Sequence, residues 1–105
     1  MYKIEKYFGK RLKEIRKSNN MSQAMLAEKL GVDEKYISRL ETGTSTPSFS
    51  MIVKLSDTFK IETESLFKFQ HLKNKEELLK IINYKISIAN EDKLRLLYKI
   101  IEYIL

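Results

Sequence analysis

The stretch MSQAMLAEKLGVDEKYISRLETG, residues 21–43, decides how the chain is read. Ser22 stands just before a run of helical spacing. Its hydroxyl can accept from the free N–H groups of a helix start, so the pattern predicts a helix over Gln23–Leu30. Gly31 follows, and glycine suits the left-handed conformation that closes a helix. Asp33 repeats the capping signal, predicting another short helix that ends near Thr42 and Gly43. Leu26, Leu30 and Leu40 fall on inward positions, and Val32 and Ile37 plug the angle between the two helices. Ala27 stands where the helices would cross, where a larger side chain would push them apart.

What the second of these helices leaves outside is polar: Glu34, Lys35, Ser38, Arg39 and Thr42. Two short helices joined by a glycine-containing turn follow the helix-turn-helix plan. A helix anchored on one side, with hydrogen-bonding groups on the other, fits the major groove of B-DNA.

The flanks extend the same pattern. Upstream, Tyr7, Phe8, Leu12 and Ile15 recur at helical intervals, with Lys10, Arg11, Lys13 and Lys17 largely outside that stripe. Downstream, residues 44–48 form a polar loop with the only proline, Pro47. A fourth helix is predicted over Phe49–Phe59, with Met51, Ile52, Leu55 and Phe59 inside, and a short fifth over Thr63–Phe67. Strand signals are nearly absent. Composition shifts after Phe69: residues 70–75 read as a linker or turn, followed by amphipathic stretches at about 75–88 and 92–105, with Asn90 capping the second. The expected fold is all-α, with a first domain over residues 1–69 and a C-terminal helical hairpin over 70–105. There is no internal repeat.

Totals bound the function. The chain has 20 Lys and Arg against 14 Asp and Glu, a net charge of +6, which suits a polyanionic partner. With no cysteine, disulfides and thiolate metal sites are excluded. No apolar signal core opens the chain and no long apolar run follows, so a cytoplasmic protein without a membrane segment is expected. His71 is the only histidine, and a metal site needs several ligands. The acidic pairs Glu76-Glu77 and Glu91-Asp92 stand at predicted helix starts, where the helix dipole accounts for them. No phosphate loop or nucleophile–base set is present, so neither metal, cofactor nor enzymatic activity is expected.

The residues Ser22-Gln23, Leu26-Ala27, Leu30-Gly31, Ile37-Ser38, Leu40-Glu41, Gly43 and Pro47-Ser48 together resemble the Cro and phage-repressor class of regulators, the XRE family. The resemblance spans residues 8–67 and implies a five-helix, lambda-repressor-like domain that binds double-stranded DNA. It implies a sequence-specific transcriptional regulator, a repressor on a palindromic operator bound as a homodimer. By the same resemblance Glu34, Lys35 and Arg39, with Ser38 beside them, face base edges. Ser22 and Gln23 meet phosphate, as do Thr42, Gly43, Thr44 and Ser45 through loop N–H groups and side chains. Gln23 also braces the first residue of the recognition helix, and Arg16 and Glu41 form an ion pair tying the first helix to the third. One position departs: many members carry Gln or Ser where Glu34 stands. Chemically, Glu34 can accept from cytosine N4, while Lys35 and Arg39 can donate to guanine O6 and N7. An acid also favours a helix N-terminus, which alone would explain Glu34. Asp33 is explained as a cap and need not face DNA.

The hairpin carries apolar residues on more than one face of each helix, more than two helices can bury between themselves. A homodimer interface through residues 75–105 is expected, with Leu94, Leu97, Tyr98, Ile101 and Ile104 in it. Packing against the first five helices is the plainer alternative. Another is a protein-interaction module in which the hairpin captures an antirepressor, toxin or other regulatory protein or peptide. Glu91, Asp92 and Glu102 interrupt any basic face, which argues against a membrane surface. The varied residues at 34, 35, 38 and 39 argue against a nucleoid protein without sequence preference.

Overall fold

A computed structural model describes residues 2–105, with side chains from Ile4 onward. Among the described residues there are helices and turns and no strand. The chain divides into two compact units, the first ending at Lys73 and the second running Asn74–Leu105.

The first unit holds α1 (Tyr2–Ser18), α2 (Gln23–Leu30), α3 (Glu34–Thr42) and α4 (Phe49–Phe59). Local chemistry sets their ends. The hydroxyls of Ser22 and Ser48 and the carboxylate of Asp33 accept from backbone N–H groups inside α2, α4 and α3, satisfying donors that would otherwise be orphaned. Gly31 and Gly43 close α2 and α3 in the left-handed region, with φ of 69° and 82°. Inside, Phe8, Leu12 and Ile15 of α1 meet Leu26, Ala27 and Leu30 of α2, Ile37 and Leu40 of α3, and Met51, Leu55 and Phe59 of α4. Leu12, Leu26, Ile37, Leu40, Leu55 and Leu66 are wholly enclosed, each contributing about 1.5–3 kcal/mol by leaving water. Tyr7, Val32 and Ile52 are only half-buried.

The predicted fifth helix is a 3₁₀ turn over Thr63–Phe67. Five residues give too few i→i−4 bonds to hold an α-helix, and the tighter turn still delivers Leu66 to the core. Arg11 Nε donates to the Ser65 carbonyl at 2.8 Å. The expected linker also differs. Gln70–Leu72 form a second 3₁₀ turn held on α1: Phe69 stacks on Tyr7, ring centroids 5.7 Å apart, the Lys73 ammonium lies 5.9 Å over the Tyr7 ring, and His71 Nε2 is 2.9 and 3.0 Å from the Glu14 carboxylate oxygens. These contacts move the boundary from after Phe69 to after Lys73.

The second unit is a hairpin of α5 (Lys75–Ile88) and α6 (Glu91–Ile104). Asn74 caps α5 and Asn90 caps α6, each side chain accepting from an N–H three residues on. A shallow hollow lined by Ile82 and Ile86 of α5, Ala89 just after it and Leu97 of α6 marks the seam. No residue of either helix is fully buried.

Candidate nucleic-acid interface

The polar face of α3 exists because its other face is fixed. Ile37, Leu40 and Glu41 are buried, while Glu34, Lys35, Arg39 and Thr42 are exposed and Ser38 is half-buried. Asp33 Oδ1 accepts from the Lys35 N–H at 3.0 Å, so the cap carboxylate is engaged on its own helix.

Three groups converge on buried Glu41. Arg16 Nε donates to Oε2 at 2.6 Å and Nη2 to Oε1 at 3.0 Å. Gln23 Nε2 donates to Oε1 at 3.0 Å. Arg16 Nη1 further donates to the Met21 carbonyl at 2.7 Å. One fork therefore ties α1, the turn before α2, and α3 together. A bidentate guanidinium–carboxylate pair is the arrangement that can offset the cost of burying two charges. The expected brace from Gln23 to Glu34 is absent, because the Gln23 amide donates to Glu41 instead.

A glycine that sequence reasoning passed over completes this anchoring. A Cβ on Gly9, in the middle of α1, would strike the backbone carbonyl oxygens of Leu40 and Glu41. The two helices thus touch backbone to backbone. Gly43 backs onto Lys6 in the same way.

The loop after α3 also departs from expectation. The left-handed cap at Gly43 folds the chain back, so the N–H groups of Gly43, Thr44 and Ser45 bond to the Leu40 and Arg39 carbonyls at 3.3, 3.0 and 3.2 Å. Those donors close α3, and Gly43 has no other donor. The hydroxyls of Thr42 and Thr44 lie 3.3 Å from the Arg39 carbonyl, and hydroxyl protons can swing outward. At the start of α2, Ser22 Oγ accepts from Met25 N at 3.0 Å, keeping its proton, and the N–H groups of Gln23 and Ala24 have no intrahelical acceptor. Arg39 extends from the last turn of α3. Its Nε donates to Ser45 Oγ at 3.2 Å and its guanidinium carbon lies 5.7 Å from the centroid of the Tyr36 ring.

In the hairpin, the five expected interface residues differ in exposure. Leu94, Tyr98 and Ile104 are exposed, by 38%, 63% and 67%. Leu97 and Ile101 are half-buried, Leu97 at the seam with α5. Leu94 and Tyr98 line one side of α6 with Glu91, Arg95 and Lys99.

His71 is paired with Glu14, whose carboxyl is held below its ordinary value chiefly by the hydrogen bond from His71; burial opposes this, and Arg11 adds a smaller lowering effect. Among the described residues no His, Asp and Glu groups gather as a metal site would require, and no helix is long and apolar enough to cross a membrane.

Known proteins share this architecture. Residues 12–66 match the HTH_3 helix-turn-helix family. Over 101 residues the chain is 31% identical to YonR, an SPbeta prophage-derived, uncharacterized HTH-type transcriptional regulator of Bacillus subtilis (strain 168), covering 90% of this chain and 94% of that one. The crystal structure of the restriction-modification controller protein C.AhdI from Aeromonas hydrophila matches with a TM-score of 0.57 and 37% identity, over 59% of this chain and 94% of its own. A chain of the SinR/SinI protein complex matches with a TM-score of 0.56 over 91% of this chain and 95% of its own, at 24% identity, a likeness of fold alone. With its buried Arg16–Glu41 fork and polar α3 face, the chain belongs to the HTH_3 helix-turn-helix family and is a DNA-binding transcriptional regulator rather than an enzyme.

Proposed function

We propose that the protein is a repressor that binds a palindromic operator as a homodimer, with α3 in the major groove. The observation that carries this reading is the division of α3: its inner side is locked by Ile37, Leu40 and Glu41, while Glu34, Lys35 and Arg39 are exposed to solvent. In this reading Lys35 and Arg39 donate to guanine edges, Glu34 accepts from cytosine N4 and Ser38 contacts a neighbouring edge. Phosphates are gripped by the hydroxyls of Ser22, Thr42, Thr44 and Ser45 and by the free N–H groups of Gln23 and Ala24 at the positive end of α2. Gly43 lets the loop turn so that the hydroxyls stand outward.

The dimer is supported by the apolar surface of the hairpin. Tyr84, Ile88, Leu96, Tyr98, Tyr103 and Ile104 are each more than half exposed, and a second copy is the simplest cover for such a surface. A second reading rests on the same surface: the hairpin takes up a different regulatory protein. Selection of bound sites from randomised double-stranded DNA tests the first reading. Palindromic sites with half-sites about one helical turn, or roughly 34 Å, apart are the expected result. Asymmetric sites without fixed spacing would remove the dimeric operator reading and leave the second.

A further inference from the structure

We propose that Tyr36 and Ser45 are positioning residues for base reading: together they hold the Arg39 guanidinium poised before DNA arrives, which makes Tyr36 a determinant of sequence preference. This inference rests on the reading that the outer face of α3 meets base edges.

An exposed arginine samples many rotamers, and freedom lost on docking weakens binding. Arg39 is restrained in two directions. The guanidinium carbon stands 5.7 Å from the centroid of the Tyr36 ring, within the range where a cation is attracted to an aromatic face. From the side, its Nε donates to Ser45 Oγ at 3.2 Å. Neither restraint is itself loose. Tyr36 is half-buried and packs against the hydrophobic core, so the interior sets the tilt of the ring. Ser45 is placed by Arg39's own backbone, whose carbonyl accepts from the N–H groups of Thr44 and Ser45. The hydroxyl that steadies the side chain is therefore carried by a loop folded onto the same residue.

The choice of Nε matters. With Nε committed to Ser45, the two terminal amines remain for a bidentate approach to guanine O6 and N7. Ser45 accepts from Arg39 through its oxygen and keeps its own proton to donate. One hydroxyl can then touch a phosphate oxygen and the base-reading side chain together, linking grip and readout.

The test uses the full chain and a library of randomised duplex DNA, selecting with wild type, Arg39→Ala, Tyr36→Leu, Tyr36→Phe and Ser45→Ala, with a melting curve for each. Arg39→Ala is expected to erase preference at one position in each half-site. Tyr36→Leu should lower preference at that same position by about two- to fivefold, and Tyr36→Phe, which keeps the ring face, should restore the wild-type profile. Ser45→Ala, at a loop position, should lower the same preference while melting like wild type, and it decides the matter if Tyr36→Leu does not fold. If Arg39→Ala changes one position but Tyr36→Leu and Ser45→Ala leave it at the wild-type level, Arg39 reads unaided and the proposal is overturned while α3 keeps its role. If Arg39→Ala leaves the profile unchanged, the assignment of the α3 face fails, and this inference with it.

Discussion

At Glu41, a single carboxylate joins three elements, and its loss is expected to be costly. Glu41→Ala leaves Arg16 buried with only the Met21 carbonyl as acceptor, a change expected to cost about 3–5 kcal/mol and to lower the melting temperature by more than about 10 °C. Replacing both partners with apolar residues, as in Arg16→Met with Glu41→Leu, should recover much of that loss, because no unpaired charge remains. An unchanged melting curve for Glu41→Ala would remove the fork from the account of stability. Gly9 sets two effects against each other. Alanine is the better helix former by roughly 0.5–1 kcal/mol, but its Cβ would meet the carbonyls of Leu40 and Glu41, and overpacking costs about 1–3 kcal/mol. The steric effect wins, so Gly9→Ala should melt lower than wild type; a higher melting temperature would show that α1 and α3 can part without cost. The pair was legible through the family resemblance. Gly9 was not, since its meaning depends on residues far along the chain. Gln23 was misjudged for a similar reason: its partner is chosen by the packing of three helices, which spacing does not specify.

Elements were more legible than contacts. Ser22, Asp33 and Asn90 announce their helices because capping is local chemistry, and the apolar stripes locate the core faces. Short segments were harder: Thr63–Phe67 has an apolar pattern but too few residues to distinguish α from 3₁₀, and Gln70–Leu72 looks like a linker until Glu14 is seen to receive His71 and Tyr7 the flanking Phe69 and Lys73. That last contact has a pH signature. The Glu14 carboxyl is depressed by its hydrogen bond from His71, so its stabilising contribution is complete above the ordinary carboxylate range and is lost as pH falls through the depressed value. The group is partly exposed, so the effect is under about 1 kcal/mol and local. Amides 70–72 should exchange faster in Glu14→Gln than in wild type near neutral pH, and the ratio should approach one in acid; a pH-independent ratio would mean that the carboxylate charge plays no part. On α6 the five residues proposed for the interface differ in depth. Leu97→Asp should loosen the hairpin and lower helicity by circular dichroism. Leu94→Asp or Tyr98→Asp should leave helicity intact and, by light scattering, separate the copies. A Tyr98→Asp protein that stays dimeric would shift the interface to the side carrying Leu96, Ile100 and Tyr103, or to another element altogether.

For the whole molecule, the two units imply a division that truncation can expose. A fragment ending at Lys73 keeps the enclosed core and the turn that receives Tyr7 and Glu14, so it should fold. It should be monomeric and should bind a selected operator about 100-fold more weakly or worse, since pairing two copies makes the second docking intramolecular. A fragment of this length that remains dimeric and binds as tightly as the full chain would assign the hairpin to another partner. A fragment ending at Phe69 should melt lower, having lost His71 and Lys73. The reader helix itself is attached by Ile37, Leu40, Glu41 and the bare backbone at Gly9, none of which lies on its outer face. That separation gives the protein an evolutionary freedom. In the proposed reading, Glu34, Lys35 and Ser38 can be exchanged while the mounting of the helix is kept, so the DNA address can change at three positions on one scaffold. Arg39 lacks that freedom in the same reading, because its replacement would leave the Tyr36 ring and the Ser45 hydroxyl without the partner they contact.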